Sequence, residues 1–122
     1  MAKIIKFTVD DVRFPTSKDL TGSDAIHTDP DYSATYVTAY TDDNNLKGYG
    51  IAFTIGKGND IVADCIKHYF PIFENMSLDD LENDIGKLWF SCVDHSQLRW
   101  LGTEKCVVHM DVASIFLSLI HI

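Results

Sequence analysis

The sequence is short of cysteine, of basic charge and of long apolar runs, and each shortage argues against a class of protein. Its three cysteines, Cys65, Cys92 and Cys106, are odd in number, far apart and without a C-x-x-C pair. That speaks against a disulfide framework or a zinc ribbon, and for small apolar residues in a reducing compartment. Ten Lys and Arg stand against 18 Asp and Glu, for a formal net charge of -8. The lysines are scattered singly among acids, so no basic patch offers itself to nucleic acid or to an anionic membrane. The first six residues lack the apolar stretch of a secretory signal, and the longest apolar run, at the C-terminus, is about half a membrane span. No nucleic-acid partner and no membrane are expected. The product reads as soluble and cytoplasmic, with a mitochondrial address left open.

Several catalytic signatures are missing as well. Five histidines, at 27, 68, 95, 109 and 121, include no i, i+4 pair of the H-E-x-x-H kind. There is no G-x-S-x-G, and no cysteine stands beside a base in sequence. Asp42-Asp43-Asn44-Asn45 fails as an EF-hand because Leu46 and Lys47 fill a ligand position and the obligatory glycine. Gly56-Lys57-Gly58-Asn59 before a helix resembles an anion nest but lacks the spacing of a Walker loop. Asn75-Met76-Ser77 matches a glycosylation sequon and reads, without a secretory signal, as a helix-capping region. Asp24, His27, Asp29 and Asp31 form the nearest metal-like cluster. A solvated loop with Asx turns around Pro30 is the preferred reading of it.

What is present is enough for one core. The chain has 122 residues, 46% of them apolar and 11% aromatic. A (β/α)₈ barrel needs roughly 250 residues. Ile5, Phe7, Val9, Val12 and Phe14 predict a strand with a bulge at Asp10-Asp11, stopped by Pro15. Residues 35–41 and 49–55 predict an antiparallel hairpin that turns at Asp42-Asp43-Asn44-Asn45. In the last strand Tyr49, Ile51, Phe53 and Ile55 share one face, while Gly50, Ala52 and Thr54 leave the other small enough for a close helix.

Val62, Ile66, Tyr69 and Phe73 predict a helix capped by Asn59 or Asp60 and strained at Pro71. Ser77, with Asp80 three residues on, caps a second helix carrying Leu78, Leu81, Ile85, Leu88 and Cys92. A third begins at Thr103 and aligns Val108, Val112, Ile115, Phe116 and Leu119. The fold class is therefore α+β, a three-stranded antiparallel meander followed by three to four helices. Residues 115–122 are apolar on every side and uncapped, which predicts cover from a partner, a second copy or a further domain. Residues 16–30 show no periodicity, and a loop of about 15 residues is commonly a lid or a binding loop.

Longer strings are more specific. Asp11-Val12-Arg13-Phe14-Pro15-Thr16-Ser17 is followed by Gly22-Ser23-Asp24-Ala25-Ile26-His27-Thr28-Asp29-Pro30-Asp31-Tyr32-Ser33-Ala34. Then come Gly48-Tyr49-Gly50-Ile51-Ala52-Phe53-Thr54-Ile55-Gly56-Lys57-Gly58, Gln97-Leu98-Arg99-Trp100-Leu101-Gly102, Glu104-Lys105 and Val107-Val108-His109. Together, from residue 3 to 112, these resemble the start of L-fuconate dehydratases of the enolase superfamily.

The resemblance implies an N-terminal capping domain of the mandelate racemase/muconate lactonizing enzyme kind over residues 1–122, with the catalytic (β/α) barrel absent. It also implies two loops that close over a barrel mouth and select an acid-sugar ligand. One is 16–32, where Gly22, Ser23, Asp24 and Tyr32 match the substrate-contacting motif; the other is the turn at Gly56, Lys57 and Gly58. The family abstracts a proton next to a carboxylate with a Lys or His base and Mg²⁺, and its Lys-x-Lys, metal ligands and His sit on barrel strands. No Lys-x-Lys occurs here. No catalytic residue, no metal ligand and no cofactor are therefore expected in the chain itself, Mg²⁺ belonging to the parent family's barrel. Residues 115–122 resemble none of the family's sequence.

Three readings follow. The expectation for this chain is an enolase N-terminal domain-like protein, non-catalytic alone, that forms a homodimer or other oligomer, or binds a partner, through its apolar C-terminal helix and barrel-facing surface. The alternative is an N-terminal fragment of a Mg-dependent sugar-acid dehydratase, an L-fuconate dehydratase-like hydro-lyase, contributing specificity loops. The third is an unrelated small-ligand binder that uses the 16–32 loop.

Overall fold

Alternating apolar and polar residues form three strands, β1 (Ile4–Arg13), β2 (Ser33–Thr41) and β3 (Lys47–Thr54). They are seen in a computed structural model that describes residues 2–101 and 107–122. The strands pair antiparallel in the order β1-β2-β3, as the meander requires. At the β2–β3 turn the Asp43 carboxylate accepts the Asn45 N–H at 2.9 Å, an Asx turn that Thr41 Oγ1 reinforces.

Four helices follow on one face of the sheet: α1 (Asn59–Phe73), α2 (Leu78–Asn83), α3 (Ile85–Val93) and α4 (Val107–Ile120). Val62, Ile66, Tyr69 and Phe73 are all buried, so the stripe predicted for α1 is its core face. The small face of β3 is used as expected. A Cβ on Gly48 or Gly50 would overlap the carbonyl oxygen of Ser118 or Ser114, so glycine lets α4 lie directly on the strand. Ile4, Val37, Ile66, Tyr69, Phe73, Val112 and Ile115 form the centre of the core between sheet, α1 and α4.

Four local expectations are corrected. The register of β1 against β2 runs without a break from Lys6 to Arg13, and its irregularity lies between Ile4 and Lys6, not at Asp10-Asp11. Asp11 breaks the apolar alternation because it faces the start of α1, where its carboxylate accepts from Asn59 Nδ2 and Arg13. The cap of α1 is Gly58, at φ 87, with no side-chain hydrogen bond; Asn59 turns inward instead and accepts from Thr54 Oγ1 at 2.8 Å.

The second predicted helix is two. Its capping box forms, with Asp80 N–H donating to Ser77 Oγ at 3.2 Å, but the chain breaks at Asp84 (φ -152, ψ 59), which then caps α3 by accepting Lys87 N–H. The apolar C-terminal helix, finally, finds most of its cover within the chain. Val108, Val112, Ile115 and Phe116 are buried against the sheet, α1 and α3, and Ile120 is the large residue left exposed, at 71%. The hydrophobicity of the helix alone leaves out the smallness of Gly48 and Gly50, which brings the sheet into contact with α4. The predicted start of that helix at Thr103, together with Cys106, lies outside the described residues; Cys65 and Cys92 are buried thiols.

Candidate ligand cleft

The chain leaves β1 at Pro15 and returns to β2 at Ser33, and hydrogen bonds within the intervening loop fix its course. Thr16 Oγ1 donates to the Pro30 carbonyl at 2.7 Å and accepts the Tyr32 N–H at 3.0 Å, which ties the two ends of the loop together. Ser17 N–H donates to Asp31 Oδ1 at 3.0 Å. Further out, Asp24 Oδ1 accepts the N–H groups of Ile26 and His27 at 2.8 and 2.6 Å, and Asp24 Oδ2 lies 3.3 Å from His27 Nδ1. An Asx turn does form, but at Asp24, six residues before the Pro30 around which the sequence placed it.

These bonds set the acidity of the loop. Asp24 is held below the usual carboxylate range chiefly by the backbone N–H of His27, then by that of Ile26. Asp31 is held below it by Ser17. Both carboxylates accept these hydrogen bonds as anions. Among the described residues no three metal-ligating side chains converge.

The second predicted segment meets the first. Asp31 N–H donates to the Ile55 carbonyl at 3.0 Å, and Gly56, at φ 119, brings the turn against Asp31. Asn59 N–H is taken by the Gly56 carbonyl at 3.3 Å, so one donor of the anticipated anion nest is already engaged. Between loop and turn lies a cleft of about 440 Å³ whose lining includes Ser17, His27, Asp29, Asp31, Ile55 and Lys57. Among the described residues Lys57 makes no ion pair, so the cleft offers an ammonium, an imidazole, carboxylates and a hydroxyl around an aliphatic floor.

None of the four residues singled out in the sequence is among those that line the cleft. Tyr32 Oη donates to the Gly22 carbonyl at 2.6 Å, and its ring stacks on Phe53 of β3, with centroids 5.9 Å apart. Ser23 N–H closes a turn onto the Leu20 carbonyl at 3.1 Å. Gly22, Ser23, Asp24 and Tyr32 thus build and brace the outer limb of the loop, while the cleft is lined by neighbours such as Ser17, His27, Asp31 and Ile55. The signal for those neighbours was in the same string, in the polar residues flanking Pro30, but spacing alone does not say which side chains face inward.

Three antiparallel strands followed by helices, with an ordered loop between β1 and β2, match the N-terminal domain of the enolase superfamily. The chain is 44% identical over 114 residues to mitochondrial enolase superfamily member 1 of Bos taurus, covering 93% of this chain and 26% of that protein. It is 46% identical over 112 residues to L-galactonate dehydratase of Hypocrea jecorina, covering 92% and 25%. The crystal structure of human mitochondrial enolase superfamily member 1 superposes with a TM-score of 0.92 at 41% identity, over 97% of this chain and 27% of that one. The chain spans about a quarter of the length of the curated relatives it matches. No protein-family profile matches it. Among the described residues no helix is long and apolar enough to cross a membrane.

Proposed function

We propose that these residues act as the substrate-selecting cap of a sugar-acid dehydratase, the loop 16–32 and the turn at Gly56, Lys57 and Gly58 forming its specificity rim. The observation that carries this reading is the junction of the two segments through Asp31 and Ile55, which turns two separate stretches of sequence into one polar cleft. A polyhydroxylated carboxylate needs a cation and several donors and acceptors around a modest apolar surface, and Lys57, Ser17, His27 and Ile55 supply that combination. The likeness to L-galactonate dehydratase supports the substrate class. L-Fuconate, to which the sequence resemblance leads, belongs to the same class.

Under this reading the chain's own part is recognition and exclusion of water. The base that abstracts the proton and the ligands of Mg²⁺ belong to the family's barrel, and the 122 residues by themselves do not turn substrate over. Gly22, Ser23, Asp24 and Tyr32 hold the loop that touches the sugar acid. The relatives named mitochondrial support a mitochondrial location over the cytoplasmic one.

The test is thermal unfolding of the chain with L-galactonate and L-fuconate, against an uncharged polyol of equal length. A melting shift specific to the acids, lost in Asp24→Ala/Tyr32→Ala and in Lys57→Ala, supports the cap. Absence of any shift at millimolar acid counts against it, and turnover surviving repurification removes the division of labour.

A second reading, association with another copy, is supported by the sheet face that carries no helix. Tyr36, Tyr49, Ile51 and Phe53 lie there, Phe53 exposed at 54%. Apolar surface gathered on one face is a feature of interfaces. A purely monomeric species in sedimentation at 100 μM or above would remove this reading and leave the first untouched.

A further inference from the structure

Helix α4 carries a carboxylate into the core. Asp111 is 0% exposed, and among the described residues no N–H or hydroxyl group hydrogen-bonds its carboxylate oxygens; the weak donor it meets is the Cys65 thiol. Its backbone carbonyl accepts from Ser114 Oγ at 2.8 Å. A carboxyl in such a place favours the neutral acid, because a thiol compensates a buried charge only weakly.

Among the described side chains around it there is no cation. From α1, Cys65 and Tyr69 sense Asp111, and burial pushes both upward, so each is neutral through the physiological range. From α3 comes Cys92, pushed up to about 11 by burial, its carbonyl accepting the Tyr69 hydroxyl at 3.2 Å. The strands behind α4 present Val37, Gly48, Gly50 and Ala52, none of which titrates. On α4 itself His109 packs toward α3, its ring 6.1 Å from that of Trp89.

We propose that Asp111 is a proton-operated latch: as the neutral acid it lets α4 dock on α1 and the sheet, and on losing its proton it loosens α4 from them. The close approach of α4 to β3 leaves little slack, since the carbonyls of Ser114 and Ser118 lie where side chains would otherwise stand. Loosening α4 therefore also uncovers one face of β3, the strand that leads into the Gly56–Gly58 turn, while its pairing with β2 stays. The latch sits in the core and stands whether or not the cleft takes a sugar acid.

Burial pushes the Asp111 pKa from 3.8 up to about 7, with the Cys65 thiol opposing. A folded-state pKa above the unfolded one means that the contribution to stability is full below the unfolded value. It is lost as pH rises toward the folded value. Three pKa units correspond to as much as about a thousandfold in the folding constant.

The experiment is carried out on the full chain. Carboxyl ¹³C NMR of aspartate-labelled protein should show Asp111 titrating near neutrality. Amide exchange, corrected for its intrinsic pH dependence, should show α4 losing at least tenfold in protection relative to β2 between pH 5.5 and 8.5. Asp111→Asn, which keeps the shape without the proton, should abolish that selective loss. Titration below pH 5, α4 protection that falls in step with β2, or a variant that keeps the wild-type dependence would each overturn the latch. If Asp111→Asn does not fold, the two wild-type measurements decide.

Discussion

The hydroxyl of Tyr32 donates to the carbonyl of Gly22 at 2.6 Å, and the Tyr32 ring occupies the space that a Cβ on Gly22 would need. One aromatic residue at the foot of β2 thus fixes the outer limb of a loop that begins 16 residues earlier at Thr16, whose hydroxyl it meets through its own N–H. Its ring in turn rests on Phe53, so sheet, loop and cleft wall are mechanically one unit.

Gly22 stands at φ 73, in the left-handed region. Gly22→Ala should therefore cost about 1–2 kcal/mol for the backbone alone, before the overlap with Tyr32 is counted. Tyr32→Phe should lose about 1 kcal/mol from the missing hydrogen bond while keeping the stack. Because the strain is local, the readout is limited proteolysis between residues 19 and 29. Cleavage should rise strongly in Gly22→Ala and modestly in Tyr32→Phe, with the melting temperature moving less than the cleavage rate.

Two glycines outside the loop separate packing from propensity. Gly50→Ala drives a methyl into the Ser114 carbonyl and forces α4 off the strand, so a loss of about 3 kcal/mol or failure to fold is expected. Gly86, in the first turn of α3, has nothing within 4 Å of the place a methyl would take. Gly86→Ala should stabilise by about 0.5–1 kcal/mol. Urea unfolding of both variants checks the pair, and equal effects would mean that α4 does not lie on β3 as described.

Much of this architecture was legible in the sequence, and the failures share a cause. The strands, their antiparallel order, the α1 stripe and the capping box at Ser77 follow from local periodicity and turn chemistry, which short windows carry. The misplaced bulge, the inward turn of Asn59 and the cover of α4 do not, because each depends on a partner far along the chain. Asp11 looked like a defect in a strand until Asn59, 48 residues on, gave it a role. The cleft was half legible for the same reason: the string from Gly22 to Tyr32 marked the loop, but its contact with Ile55 is tertiary.

The capping box at the start of α2 is testable in isolation. Asp80 N–H donates to Ser77 Oγ while the Asp80 carboxylate accepts from the Ser77 N–H at 3.4 Å. Ser77 also pairs with Lys3 in an isolated bridge, so the cap anchors the start of the sheet to the helices. Ser77→Ala should cost about 1 kcal/mol, and Ser77→Thr should restore most of it, since threonine keeps the hydroxyl that accepts the Asp80 N–H and donates to the Asp80 carboxylate at 2.6 Å. No loss in Ser77→Ala would mean that the cap's hydrogen bond is unimportant.

Asp11 and Asp111 should pull the stability profile in opposite directions. The Asp11 carboxyl is held below its ordinary 3.8 first by Arg13, whose Nη2 lies 2.8 Å away, and then by Asn59. A depressed folded-state pKa gives stability that is full above the unfolded value and is lost as pH falls through the folded one. Asp11, with Asp24 and Asp31 lowered in the same sense, should therefore weaken the fold below about pH 4. Asp111, raised to about 7, should weaken it as pH rises toward neutrality. Stability should consequently peak at about pH 4 and decline from there toward neutrality. Asp11→Asn should flatten only the acid limb of a urea-midpoint profile, and Asp111→Asn only the neutral limb. A profile flat from pH 5 to 8 in the unmodified chain would mean that Asp111 is solvated or paired, and a variant that flattened both limbs would mean that the two carboxyls are coupled through α1.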